Sequence, residues 1–169
     1  MPAYVSWNRI VKSSDAAKQD KEFAAGRRHA TLVRSERYPA AREETLIQID
    51  IDVPDRPGEL AKLAAILGEA SINIDAISAE SVGGRSYVSL IASQPMQARE
   101  ALVKHGYACS TRTVLVVRLE DQPGSLAALA KRLGDAGVDV VSAIHLGTVG
   151  GRPQLALGVD NLEKARSLV

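Results

Sequence analysis

From Thr45 onward the apolar and polar positions recur with periods that name their own elements. In TLIQIDIDV, Ile47, Ile49, Ile51 and Val53 alternate with their neighbours, the period of 2 of a strand with one buried face. Leu60, Leu63, Ala64 and Leu67 then follow i, i+3, i+4, i+7, one face of a helix. INIDAISAES reads as a second strand. Val82-Gly83-Gly84-Arg85 reads as a tight hairpin, because a two-residue primed turn needs positive φ. RSYVSLIAS returns as the third strand. Gln97 to His105 has a helical pattern closed by Gly106, and YACSTR is a short fourth strand. The expected order is βαββαβ.

The order then starts again. TVLVVRLE is a strand, and Ser125 to Ala136 a helix with Leu126, Leu129, Ala130 and Leu133 on one face, closed by Gly137. VDVVSAIHLGTV, a Val149-Gly150-Gly151-Arg152 hairpin and PQLALGV follow, then a helix from Asp160 to Val169 with Asp160 or Asn161 as cap. Asp121 lies 66 positions after Asp55, and at that offset Pro57, Gly58, Leu60, Leu63, Leu67, Gly68 and Ala70 meet identical residues. This is an internal repeat. The second copy has no residues for a fourth strand. Ser71 stands where it has Gly137, so the first helix must end without the easiest residue for a left-handed turn.

Residues 1–44 keep no such period. They are polar and mixed in charge, and read as a mostly disordered extension. A marginal helix from Asp15 to Ala25, capped by Ser13 or Ser14, is the most they suggest, and an upstream misplaced start codon would give the same pattern. A 46% hydrophobic fraction is globular, but with only 4% aromatics the core must be Ala, Val, Leu and Ile. A net charge of +1 offers no general attraction to nucleic acid or anionic membrane. Cys109, the only cysteine, excludes an intrachain disulfide and thiolate-rich metal sites, and reads as a half-buried strand residue. No apolar run reaches the roughly 20 residues of a spanning helix. Without a signal-peptide apolar region at the N-terminus, the expected location is cytoplasmic.

The repeated D-x-P-G-x-L turn is the chemical feature. The first N–H groups of a helix have no partner inside it, and the dipole there favours negative charge. Pro57 and Pro123 suit a helix opening, where a missing N–H costs nothing. Gly58 and Gly124 remove the side chain that would hold a ligand off the backbone, so a carboxylate can approach. Asp55 and Asp121 have two readings, capping a first-turn N–H or receiving a ligand ammonium.

D-x-P-G-x-L, a helix, I-N-I or V-D-V, then a glycine hairpin resembles the ACT domain, over about Thr45 to Val169. The resemblance implies an α+β fold of two ferredoxin-like βαββαβ modules in tandem, the second lacking its last strand. Their spans are 45–112 and 113–169, behind the extension 1–44. It also implies a non-enzymatic module that binds amino acids to regulate. In that family the Asn after the helix commonly contacts the ligand. Asn73 matches, and otherwise reads as an edge-strand polar residue; the second copy has Asp139 instead, which disfavours a ligand carboxylate. The candidate ligand-binding residues are therefore Asp55, Arg56, Pro57, Gly58, Glu59, Asn73, Ile74, Asp121, Gln122, Gly124 and Asp139. Arg56–Glu59 and Ile72–Ile74 are expected to form one pocket closed by the second module.

ACT modules typically pair through exposed strand edges, so Ile72–Glu80 is expected beside Val138–Gly147. The missing fourth strand should leave Val114–Leu119 uncovered on one side, open to a homodimer partner or to Ala3–Val11. His29, His105 and His145 have no partners at ligand spacing, so no metal site is expected; His145 is a candidate for the seam between modules, and His105 suits a helix end. No nucleophile elbow, P-loop or dinucleotide fingerprint is present, so no cofactor is expected. RNA-recognition modules share the topology but need stacking aromatics, and Tyr87 is the only aromatic in RSYVSLIAS. The expected role is a regulatory amino-acid sensor. The alternative is a regulatory or scaffolding subunit whose ACT pair is an interaction surface for an amino-acid biosynthetic enzyme.

Overall fold

The computed structural model describes residues 45–169. The readings placed on residues 1–44 (a disordered extension, a helix over Asp15–Ala25, a strand over Ala3–Val11) lie outside the described residues, as does His29. The elements in chain order are β1 (Thr45–Pro54), α1 (Glu59–Glu69), β2 (Ile74–Val82), β3 (Arg85–Ala92), α2 (Pro95–Lys104), β4 (Cys109–Arg118), α3 (Ser125–Asp135), β5 (Val140–Val149), β6 (Arg152–Val159) and α4 (Leu162–Arg166). All six strands join one antiparallel sheet in the order β2-β3-β1-β4-β6-β5.

The expected break between YACSTR and TVLVVRLE does not exist. Both segments are one strand, β4, which serves as fourth strand of the first module and first strand of the second. Its N-terminal part, Cys109 to Leu115, pairs with β1, and Leu115 to Arg118 pairs with β6 on the other side. Positions 112 and 113 therefore lie inside a shared strand. The edge expected to be open at Val114–Leu119 is partly filled, since Leu46 and Thr45 pair with Val114 and Leu115. Continuity costs less than a turn here: the strand period runs unbroken through Thr113, with no Gly or Pro to interrupt it.

The period of 2 also explains how one strand serves two cores. Odd residues of β4 face helices: Cys109 packs with the α1/α2 cluster, while Leu115 and Val117 pack under α3 and α4. Even residues Val114 and Val116 face the opposite way, into a third cluster with Ala76, Ile91, Ile144, Leu146 and Ala156. That third cluster joins β2 to β5, the two ends of the sheet order. The sheet thus curls so that its helix-free faces meet. The expected neighbours β2 and β5 do come together, but through side chains and not through a ladder of backbone hydrogen bonds. His145, on the alternate face of β5 from Ile144 and Leu146, is exposed and not in the seam.

The helices show where sequence pattern and packing part. In α1 the buried positions are Glu59, Leu63 and Leu67, while Leu60 is 48% exposed and Ala64 is exposed; Leu126 in α3 is 53% exposed. The inward stripe runs 59, 63, 66, 67: Leu63 and Leu67 are as expected, but Glu59 and Ile66 take the places of Leu60 and Ala64, because the turn before each helix fixes its rotation. α2 begins at Pro95, two residues earlier than expected, with proline in the first turn where its missing N–H is harmless. Asn161, one of the two expected caps, accepts a hydrogen bond from Lys164 N–H (3.0 Å).

Candidate functional site

Both repeated turns have the same geometry. Glu59 N–H donates to Arg56 C=O (3.3 Å) across Pro57 and Gly58, and Gly58 has φ 90 and ψ −8. Ser125 N–H donates to Gln122 C=O (3.3 Å) across Pro123 and Gly124, and Gly124 has φ 91 and ψ −10. These are type II β-turns, with proline at the second position and glycine at the third, where positive φ is required. The glycines are therefore explained by backbone conformation; a Cβ at either would meet nothing within 4 Å. The prolines sit in the turn and not in the helix, which opens at Glu59 or Ser125.

Neither aspartate caps its helix, correcting that reading: no side-chain cap hydrogen bond is made at either start. Asp55 instead ties the turn to the β2–β3 hairpin. Its N–H donates to Gly84 C=O (3.2 Å) and its Oδ1 accepts from Ser86 Oγ (3.2 Å). At the helix starts, the N–H groups of Leu60, Ala61, Leu126 and Ala127 have no hydrogen-bond partner among the described residues.

The first turn also carries a buried charge. Glu59 accepts from Lys62 Nζ (2.9 Å) and from Tyr107 Oη (3.4 Å), and Arg56 lies 3.4 Å away. The Lys62 hydrogen bond holds its carboxyl below the ordinary range despite burial. Burial and the Glu59 charge push the Tyr107 phenol up. Burial likewise pushes the Cys109 thiol up, so this half-buried thiol is held protonated.

Asn73 and Ile74 lie at the opposite end of α1 from Arg56–Glu59. An 11-residue helix separates them by about 16 Å. The structure does not bring these two groups together within one module, because α1 runs back antiparallel to the strands on either side of it. Asn73 is exposed; its N–H donates to Ser93 Oγ (3.1 Å) and its Nδ2 to Asp75 Oδ1 (3.3 Å). Asp139 stands at the matching corner of the second module, where its N–H donates to Asp160 Oδ1 (2.9 Å).

A hollow that sequence reasoning missed opens on the helix-free face of the first module. It has a volume of about 750 Å³, and β1, β2, β3, β4 and β5 all contribute to its lining. At its floor Asp50 accepts from Gln48 Nε2 (2.6 Å), Ser89 Oγ (2.7 Å) and Arg112 Nε (2.7 Å). Burial alone would raise the Asp50 carboxyl; the three hydrogen bonds outweigh it and hold the group below 3.8. Ser142 of β5 donates to Gln48 Oε1 (3.1 Å), which ties the second module to this floor. The signal was present in the sequence: Gln48 and Asp50 of β1 are polar where the matching positions of β4 are Val114 and Val116. Only the register shows that they face the same hollow. Among the described residues no cluster of metal-ligating groups occurs, and no helix is long and apolar enough to cross a membrane.

A family model described as an ACT domain pair matches residues 44–169, and the chain belongs to that family. The expectation of two ferredoxin-like ACT modules in an α+β chain is borne out. Among solved structures, protein BT0572 from Bacteroides thetaiotaomicron matches with a TM-score of 0.67 at 20% identity, covering 76% of this chain and 88% of that one. The ligand-free regulatory subunit of aspartate kinase from Thermus thermophilus matches with a TM-score of 0.57 at 20% identity, covering 77% and 96%. The regulatory subunit of aspartate kinase from Thermus flavus gives 0.55 at 20% identity, covering 78% and 96%. No curated protein matches the sequence.

Proposed function

We propose that this ACT pair is a regulatory sensor: it binds an amino acid or a related small metabolite and passes the binding event to a partner. The observation that carries the reading is the pair of identical type II turns, each opening a helix whose first N–H groups are unpartnered, in a chain of the ACT domain pair family. Such a helix start attracts a carboxylate. The ligand residues remain those named from the sequence: Asp55, Arg56, Pro57, Gly58, Glu59, Asn73, Ile74, Asp121, Gln122, Gly124 and Asp139. Since α1 separates the Arg56–Glu59 turn from Asn73, a small ligand touching both kinds of residue bridges two modules, within a chain or between copies in a homo-oligomer. Regulation would then follow from differential affinity for two arrangements of the modules. Thermal stabilisation by at least one of the twenty amino acids at about 1 mM is expected, the scale of weak metabolite binding. A flat response to all twenty sinks the proposal.

A second reading is a non-catalytic subunit whose ACT pair is an interaction surface for a biosynthetic enzyme. It is favoured by Leu60 and Leu126, which occupy matching positions on α1 and α3 and stand 48% and 53% exposed. The Thermus structures, described as aspartate kinase regulatory subunits, are in keeping with it. Retention of one specific enzyme by the wild-type chain, lost in Leu60→Asp with Leu126→Asp, is its expected signature.

A further inference from the structure

The strand register lays the side chains of the hollow out as a grid. Ala76, Ile91, Gln48 and Arg112 lie in one row across β2, β3, β1 and β4; Ser78, Ser89, Asp50 and Ser110 form the next; Glu80, Tyr87 and Asp52 the third. The middle row is built from three serines and one aspartate, between rows of larger side chains, and that contrast is what makes the hollow. Val141, Ser142, Ala143 and Ile144 of β5 wall it. None of the residues of the two helix-start turns lines it, so it is a separate feature from the sensor site proposed above.

Its two ends carry opposite chemistry. Arg112 gives Nε to Asp50, which orients the guanidinium, while its two terminal nitrogens make no hydrogen bond among the described residues. Gly158 leaves room for that orientation: a Cβ there would stand 3.2 Å from Arg112 Cδ and overlap Ser142 Oγ. At the far end Asp52 is neutralised by Arg85 (2.8 Å), but Glu80 has no ion pair or hydrogen bond among the described residues. An oriented guanidinium, ion-paired with Asp50 through Nε but with its terminal nitrogens open, thus faces an uncompensated carboxylate across a floor of serine hydroxyls. The Arg112 head reaches β1, so the gap to Glu80 is two strands across and one row along, roughly 12 Å.

We propose that this groove binds a linear zwitterion, its carboxylate on the terminal nitrogens of Arg112 and its ammonium on Glu80. Two hydrogen bonds of about 2.9 Å leave about 6 Å between the ligand's charged ends. That is the spacing of an ω-amino acid, which the basic α-amino acids also carry. Glycine is too short to reach both ends.

The test is isothermal titration of the full chain with 5-aminopentanoate, with amide chemical shifts followed at Ser89, Ser110 and Ser142. Binding with shifts at these serines is expected. Pentanoate, 1-aminopentane and glycine should each bind at least about tenfold more weakly, as each loses one charge-assisted contact. Glu80→Gln should weaken 5-aminopentanoate by the same factor without changing the fold, because the Glu80 side chain makes no ion pair or hydrogen bond among the described residues, and its backbone pairing with Tyr87 is untouched. Arg112→Gln should do so too, with Asp50 losing its ion pair but keeping its hydrogen bonds from Gln48 and Ser89. Each of these results overturns the proposal: no shift at the three serines at about 10 mM probe, a range that reveals even millimolar affinity; equal affinity for pentanoate or 1-aminopentane; or unchanged affinity in Glu80→Gln or Arg112→Gln. Shifts confined to Asp55–Glu59 or Asp121–Ser125 also overturn it, while supporting the sensor site.

Discussion

The two modules share a plan and differ at three matching places. At the helix start, Glu59 of the first is buried with Lys62 and Tyr107, where the second has Ser125. A built-in carboxylate already occupies the positive end of α1, whereas α3 begins with a neutral hydroxyl and leaves its dipole unanswered. Asn73 makes the first copy the natural candidate for an amino acid; the charge at the helix start favours the second for a carboxylate. At the helix end, Ser71 has φ 58 and Gly137 φ 70, with matching closures: Ile72 N–H to Leu67 C=O and Val138 N–H to Leu133 C=O, both 2.9 Å. One motif is made with a strained residue, the other without strain. On the helix-free face, Gln48 and Asp50 of β1 stand where β4 has Val114 and Val116. That difference divides the seam into an apolar half that holds the modules together and a polar half that opens as the groove. Duplication supplied the frame, and divergence at inward-facing positions supplied the chemistry.

The comparison breaks most readily in the cores. Leu63→Ala and Leu129→Ala, matching positions on α1 and α3, should each cost about 2–5 kcal/mol. Because β4 runs through both modules, each variant should shift a single cooperative denaturant transition. Two separate transitions, with the untouched module unfolding at its wild-type midpoint, would refute the shared-strand account.

Gly158→Ala tests the seam. Its methyl group would overlap the Ser142 hydroxyl, and forcing that contact should cost about 1–3 kcal/mol. The matching glycine-free position in the first module, Ile91, carries a large side chain in the apolar half of the seam, so the penalty is specific to the second copy's side of it.

The helix ends give a smaller, signed effect. Ser71→Gly should stabilise by about 1 kcal/mol, and Gly137→Ser should destabilise by about the same, since a side chain in the left-handed region costs 1–2 kcal/mol. Denaturant midpoints of the two variants should move in opposite directions.

The smallest effect is on pH. Asp50 binds its proton less readily folded than unfolded, so the unfolded chain takes up more protons in acid. Its contribution is present above the ordinary value of 3.8 and is lost as pH falls through the lower folded value. Asp50→Asn should flatten that acid limb in thermal melts.

Strand periods, hairpin glycines and the 66-residue offset were all legible in the chain, because each reports a local backbone need: alternating burial, positive φ, a helix start. The two turns were legible as turns, yet of the two readings open for their aspartates the capping one fails, since a cap depends on where the helix opens relative to Asp55 and that is set by the type II turn. Leu60 and Leu126 were assigned inward for the same reason: a helical period fixes spacing but not rotation. The sequence alone therefore determined which elements form and that they repeat. Tertiary structure decided that YACSTR and TVLVVRLE are one strand, that Asn73 lies a helix length from Arg56, and that Gln48, Asp50, Ser89, Arg112 and Ser142 meet. Those facts depend on register and on the curl of the sheet, which are set by contacts between residues as far apart as Gln48 and Ser142, and no local pattern carries them.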